Sequence, residues 1–237
     1  DHTAQHAAQY RQILTKLKQD YINAYIALHS KARLGVNDEK KQTALRKDAR
    51  LGTVRALANI SLMPTSQLND YETKLGQLKS CASLIENDLG ASPYCPHCAF
   101  KPANEQGDLI PAGNALKQLD DELDQLVANW QQTLLENLED PFTQDSLGLL
   151  SSGSKKLIDA FLASRKLPDP MTTEFVNAVQ EALSGLEKIS VKGDEIKQAL
   201  LQGGSPATPD DLRKRFEAFL NDRCKGKDAT KLRFVVE

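Results

Sequence analysis

Cys95 and Cys98 flank a Pro-His pair in the segment SPYCPHCAFKP, residues 92 to 102. Two thiols at this spacing can cycle between dithiol and disulfide, give two sulfurs to one tetrahedral ion, or sit in a plain turn. A third cysteine, Cys81, stands fourteen positions before Cys95, so a helix end folding back would bring three sulfurs together. Three thiolates need one more ligand. His97 lies inside the turn and would have to point back awkwardly, whereas His29 and Cys224 are distant in sequence and must approach in space. No HExxH-like pair or accompanying general base is present, so the residues point to a structural zinc and away from a catalytic one.

The tetrapeptide Cys-Pro-His-Cys is similar to the active-site tetrapeptide of bacterial thiol oxidants of the thioredoxin class. There the motif follows a β-strand and opens a helix, whose N-terminus lowers a thiol pKa. Here it is followed by AFKPANEQGDLIPAG, whose prolines and glycines oppose a prompt helix start. A thiol-disulfide oxidoreductase is therefore the disfavoured alternative. Cys-Pro-x-Cys between two heptad-bearing helices also resembles the zinc hook of SMC-like DNA-repair ATPases, in which two chains each give two sulfurs. The long linker after Cys98, and the absence of a purpose for Cys81, count against that arrangement.

Other catalytic signatures are missing. The stretch GGSPATP lacks the Lys of a phosphate-binding loop and reads as a helix connector. The acidic run LDDELDQ repeats along one helical face and reads as a solvated surface. No serine or histidine is placed with a partner that would make a nucleophile and base. The chain is expected to be non-enzymatic, although a longer parent could be an ATPase.

The elements that must position these residues are helical. Aromatic residues make up only 5% of the 237 positions, and Leu, Ala, Gln, Lys, Glu and Asp dominate. Apolar residues step by three and four at Tyr10, Leu14, Leu17, Tyr21 and Leu28. The same spacing recurs at Leu68, Tyr71, Leu75, Leu78 and Ile85, and again at Leu116, Leu119, Leu123, Leu126, Trp130 and Leu134. A less regular helix is expected over residues 40–60. The spacing predicts a mainly α fold, a long antiparallel helical bundle with coiled-coil-like hairpins and the cysteine turn, over residues 1–140. Residues 141–237 read as a smaller helical lobe. It ends in a strand, helix, helix, strand module, with KISV and LRFVV as two short strands that pair, and Thr208 with Asp211 as a capping box.

Charge is uneven along the chain. Residues 1–60 carry 11 Lys/Arg against 5 Asp/Glu, and residues 61–145 carry 4 against 14. Clustered cations at Lys40, Lys41, Arg46, Lys47, Arg50 and Arg55 make a nucleic-acid-binding module, most simply for DNA, the main alternative function. Too few aromatics accompany them for base stacking. No run of about 20 apolar residues and no signal peptide is visible, and four cysteines do not make a disulfide framework. These features predict a cytoplasmic chain with no membrane partner. The missing initiator Met, with helical spacing almost from the first residue, suggests a piece of something longer.

Several spaced blocks carry a resemblance. YCPHCAFKP after Cys81, LLENLEDP, AFLASRKLPDP, VQEALSGLEKISV, ALLQGGSPATPDDLRKRFEAFL and GKDATKLRFVVE together resemble the C-terminal region of large bacterial P-loop ATPases of the PglY and BrxC type. Those belong to phage-exclusion systems of the BREX and Pgl kind. The resemblance covers roughly residues 70–237. It implies phage defence alongside a methyltransferase, a phosphatase-like protein and other components, with this region acting as a scaffold toward those proteins, toward the parent chain, or in a homo-oligomer. No nucleotide-binding motif occurs here. Only Cys81, Cys95 and Cys98 carry over, as a metal cluster whose fourth ligand is open.

Overall fold

The computed structural model describes residues 2–104 and 110–237, with side chains from residue 5 onward. In chain order the helices are α1 (His2–Ala32), α2 (Val36–Arg46), α3 (Ala49–Leu57), α4 (Thr65–Gln77), α5 (Glu86–Ala91), α6 (Ala112–Glu139), α7 (Pro141–Ser146), α8 (Ser152–Ser164) and α9 (Thr173–Ala182). Strand β1 (Glu187–Val191) follows, then α10 (Gly193–Leu201), α11 (Pro209–Cys224) and β2 (Leu232–Val236). The chain is mainly helical with one short strand pair, as composition and spacing predict. It forms two compact units, residues 1–47 with 73–121, and residues 48–72 with 122–237.

Helix boundaries follow local chemistry. The helix expected over residues 40–60 is two helices, because Asp48 accepts from the Arg50 amide at 2.8 Å and starts α3 afresh. Asp140 caps α7 with Pro141 in its first turn, and Ser151 and Thr172 cap α8 and α9. Thr208 and Asp211 form the reciprocal capping box that opens α11.

The three heptad-like runs have different fates. Every apolar position of the α6 run, from Leu116 to Leu134, is buried. The second run is cut short: α4 ends at Gln77, so Leu78 lies beyond it, and Ile85 is exposed just before α5. In α1 the spacing holds but the face is open, with Tyr10, Leu14 and Leu17 each more than 60% exposed. Burial begins at Ile22 and continues through Tyr25 and His29.

In the first unit the buried Gln42 amide donates to the carbonyls of Leu75 and Leu78 at 2.8 and 2.9 Å, closing off the end of α4. The chain then runs extended. Leu34 and Ser80 form an isolated parallel bridge, with the Leu34 amide donating to Lys79 and the Cys81 amide donating to Leu34.

In the second unit α8 and α9 pack as a hairpin around an edge-to-face Phe161–Phe175 contact, and Trp130 donates its indole N–H to Gln67 at 3.0 Å. Strands β1 and β2 pair with each other in parallel, Glu187 opposite Leu232 and Val191 opposite Val236, with α10 and α11 as the crossover. Gly185 lets the chain turn into β1 against Phe142, whose ring lies 3.0 Å from where a Cβ would stand.

Candidate metal centre

The last two turns of α1 present Tyr25 and His29 on one face, at the spacing that stacks side chains along a helix, and Arg33 follows directly after its end. Residues 92–100 fold over that face. The Tyr25 hydroxyl donates to the Phe100 carbonyl at 2.6 Å and accepts from the Cys95 amide at 2.7 Å, so one buried oxygen ties both ends of the cysteine turn to α1. Tyr21 donates to the Pro93 carbonyl, and Lys18 to that of Gly90 at 3.1 Å. Phe100 packs edge-on against Tyr25 and His29, and Ile22, Leu89 and Cys95 complete a small core. The cysteine turn closes with the Ala99 amide donating to Cys95 at 2.9 Å and Ala99 itself at φ +50°.

The Leu34–Ser80 bridge brings Cys81 to the same place from the other side. His29, Cys81, Cys95 and Cys98 thus converge, their ligand atoms all within 4.8 Å of one another. Cys81 and Cys95 sulfurs are 3.7 Å apart, and His29 Nε2 lies 3.3 Å from Cys98 Sγ. Three separate stretches of chain therefore contribute to one group able to hold a metal ion.

The electrostatics suit ligation unevenly. Burial holds His29 below its ordinary pKa, helped by the charge of Arg33 and by His97, which favours the neutral imidazole with one ring nitrogen free to ligate. Burial also pushes the Cys81 thiol up, to about 11, with its sulfur neighbours adding to the rise. At Cys98 burial opposes ionisation, but the Phe100 amide, the Arg33 guanidinium and the neighbouring thiols outweigh it and bring the pKa below the ordinary thiol value. A cation among the three sulfurs would offset the cost of ionising Cys81.

Of the three candidates for the fourth position, His29 is the one that joins the sulfurs. His97 turns outward, its Nε2 3.3 Å from the Asp88 carboxylate, and Cys224 ends α11 in the second unit. The tetrapeptide neither follows a strand nor opens a helix: α5 precedes it, and a short 3-10 turn at Pro102–Asn104 comes after. Residues 37–129 match the family described as "Family of unknown function (DUF6079) 6th domain". No curated protein and no solved structure matches the chain. The matched stretch contains all three cysteines of the cluster and begins after His29.

The six cations expected to face nucleic acid are distributed over both units. Lys40, Lys41 and Arg46 lie on α2, with Lys47 at its C-terminal cap, in the first unit, whereas Arg50 and Arg55 lie on α3 in the second. Three of them face carboxylates: Lys41 pairs with Asp38 at 2.9 Å, Arg50 with Asp48 and Asp124 at 2.8 and 2.6 Å, and Arg55 with Glu72 at 2.7 Å. Lys40, Arg46 and Lys47 are exposed. Among the described residues no helix is long and apolar enough to cross a membrane.

Proposed function

We propose that the chain is a zinc-pinned, non-catalytic helical scaffold region of a larger ATPase that acts in bacterial phage defence. The observation that carries the zinc centre is the convergence of His29, Cys81, Cys95 and Cys98 from three separate stretches. A tetrahedral ion with Zn–S bonds of about 2.3 Å holds its sulfurs roughly 3.8 Å apart. The Cys81–Cys95 separation of 3.7 Å suits that geometry. Three thiolates and an imidazole are also the soft and borderline donors that zinc takes.

Four protein ligands fill a tetrahedral shell and leave no position for substrate, which supports a structural role over a catalytic one. The small core beneath the turn, centred on Ile22, Tyr25, Leu89 and Phe100, gives the need for such a tie. When bound, zinc supplies a cross-link between the end of α1, the extended stretch through Cys81, and the cysteine turn. Tyr25 and the Leu34–Ser80 bridge orient the donors for it. Parentage and partners rest on the spaced blocks that resemble the PglY and BrxC type.

Protein purified without added zinc should contain about one zinc per chain, and chelation should lower its melting temperature by several degrees. Metal content near zero, with melting unchanged by chelator, would remove the zinc centre from this reading. A full-length reading frame without a phosphate-binding loop would overturn the ATPase parentage and leave the metal centre standing.

A further inference from the structure

We propose that Arg33 is the counter-ion of the metal centre, a fixed positive charge set beside the thiolates from one turn beyond the histidine ligand. This rests on the zinc reading above. Arg33 is nine-tenths buried, an environment that a guanidinium occupies only with compensating partners. Its Nη1 donates to the Ala32 carbonyl at 2.9 Å and its carbon lies 4.6 Å above the Phe100 ring. It lines a cavity of about 280 Å³ together with His29 and Cys81, and it is among the groups that bring the Cys98 thiol below its ordinary pKa.

The charges give the reason. A divalent ion with three thiolates and a neutral imidazole carries one net negative charge, and a buried anion of this kind needs a fixed positive partner. Arg33 brings one positive charge that stays ionised whatever its burial. His29 and Arg33 sit four residues apart, and the Arg33 amide donates to the His29 carbonyl at 3.0 Å. Ligand and counter-charge are thereby set by the same stretch of backbone.

The test uses the whole chain as wild type, Arg33→Met, Arg33→Lys and Phe100→Leu, each loaded with one equivalent of zinc and competed with a chromogenic chelator. Outer-sphere partners of metal ligands typically contribute 10–100-fold to affinity, and Arg33→Met should weaken zinc by about that factor. Arg33→Lys, which keeps the charge, should recover most of the loss. Phe100→Leu should stay within roughly threefold of wild type, because it disturbs packing and leaves the charge. In cobalt-substituted protein the sulfur-to-metal charge-transfer band should move to longer wavelength in Arg33→Met, since sulfurs without the nearby positive charge hold their electrons less tightly.

Unchanged affinity and spectrum in Arg33→Met overturn the proposal while leaving the zinc centre intact. So does a Phe100→Leu loss as large as that of Arg33→Met, which would make the effect one of packing. Should Arg33→Met not fold, the comparison of Arg33→Lys with Phe100→Leu decides by the same criteria. Wild-type protein that takes up no zinc overturns the proposal together with the reading beneath it, and that result is distinct from the other two.

Discussion

His29 and Cys98, sixty-nine positions apart, place Nε2 and Sγ 3.3 Å from each other at the end of α1. A histidine this far from the cysteine turn becomes its neighbour because two independent fastenings act on the chain. Tyr25 holds residues 95–100 from within, and the Leu34–Ser80 bridge carries Cys81 in from outside.

The ligand set predicts a sharp division among side chains, including the three candidates for the fourth position that sequence alone leaves open. His29→Ala and Cys95→Ser should each reduce bound zinc well below one per chain, because breaking a four-ligand shell leaves the remaining thiolates poorly compensated. His97→Ala and Cys224→Ser should keep full stoichiometry. Metal analysis of the four purified variants separates these outcomes, and loss of zinc in His97→Ala would contradict the assignment.

Tyr25→Phe should destabilise the first unit by about 2–4 kcal/mol, since two buried backbone groups, the Cys95 amide and the Phe100 carbonyl, lose their partner at once. Tyr21→Phe removes a hydrogen bond from a half-exposed residue and should cost less than about 1 kcal/mol. Denaturant titration gives both numbers.

The open face of α1 predicts tolerance where the heptad spacing suggests a seam. Leu14→Gln and Leu17→Gln should each change stability by less than about 0.5 kcal/mol, as surface substitutions do. Trp130→Ala in α6, whose indole is buried and bonded to Gln67, should cost about 3–5 kcal/mol.

Asp48 gives the second unit a dependence on pH. Side-chain hydrogen bonds from Arg50 hold its carboxyl below the ordinary aspartate value; burial opposes this and the Arg50 amide adds to it. A depressed folded pKa means the stabilisation is complete above the unfolded value of about 3.9 and is lost as pH falls through the lower folded value. The difference between wild type and Asp48→Asn should be about 1 kcal/mol and level above pH ~4, then shrink toward zero on acidification. Urea unfolding at a series of pH values measures it, and a difference that grows in acid would contradict the sign.

Much of this architecture could be read from residues. Thr208 with Asp211 announces the start of α11, and the β-branched and aromatic residues of KISV and LRFVV announce β1 and β2, because caps and strand propensity are local effects. The two cysteines of the turn and Cys81 point, by type and spacing, to a group that could hold a metal ion. The choice of His29 over His97 or Cys224 depends on a tyrosine hydroxyl and one bridge pair, contacts between distant residues that leave no periodic trace. The spacing in α1 and α6 is nearly the same, yet α6 is covered and the first half of α1 is open: period identifies an apolar face and says nothing of what lies against it. The break between α2 and α3 was available in Asp48, an N-cap type followed by a helix-forming run.

The parallel sense of the strand pair has a practical consequence. The Val191 carbonyl accepts from Glu237, and the Gly193 amide donates back to the Glu237 carbonyl, so the backbone around α10's first turn is stitched to residues that follow β2. Cutting the chain after Lys231 would strip β1 of its only strand neighbour among the described residues, bare Val191, and leave α10 and α11 tethered at one end. An affinity handle or fluorescent fusion placed behind Glu237 therefore needs a spacer long enough to let that stitch form.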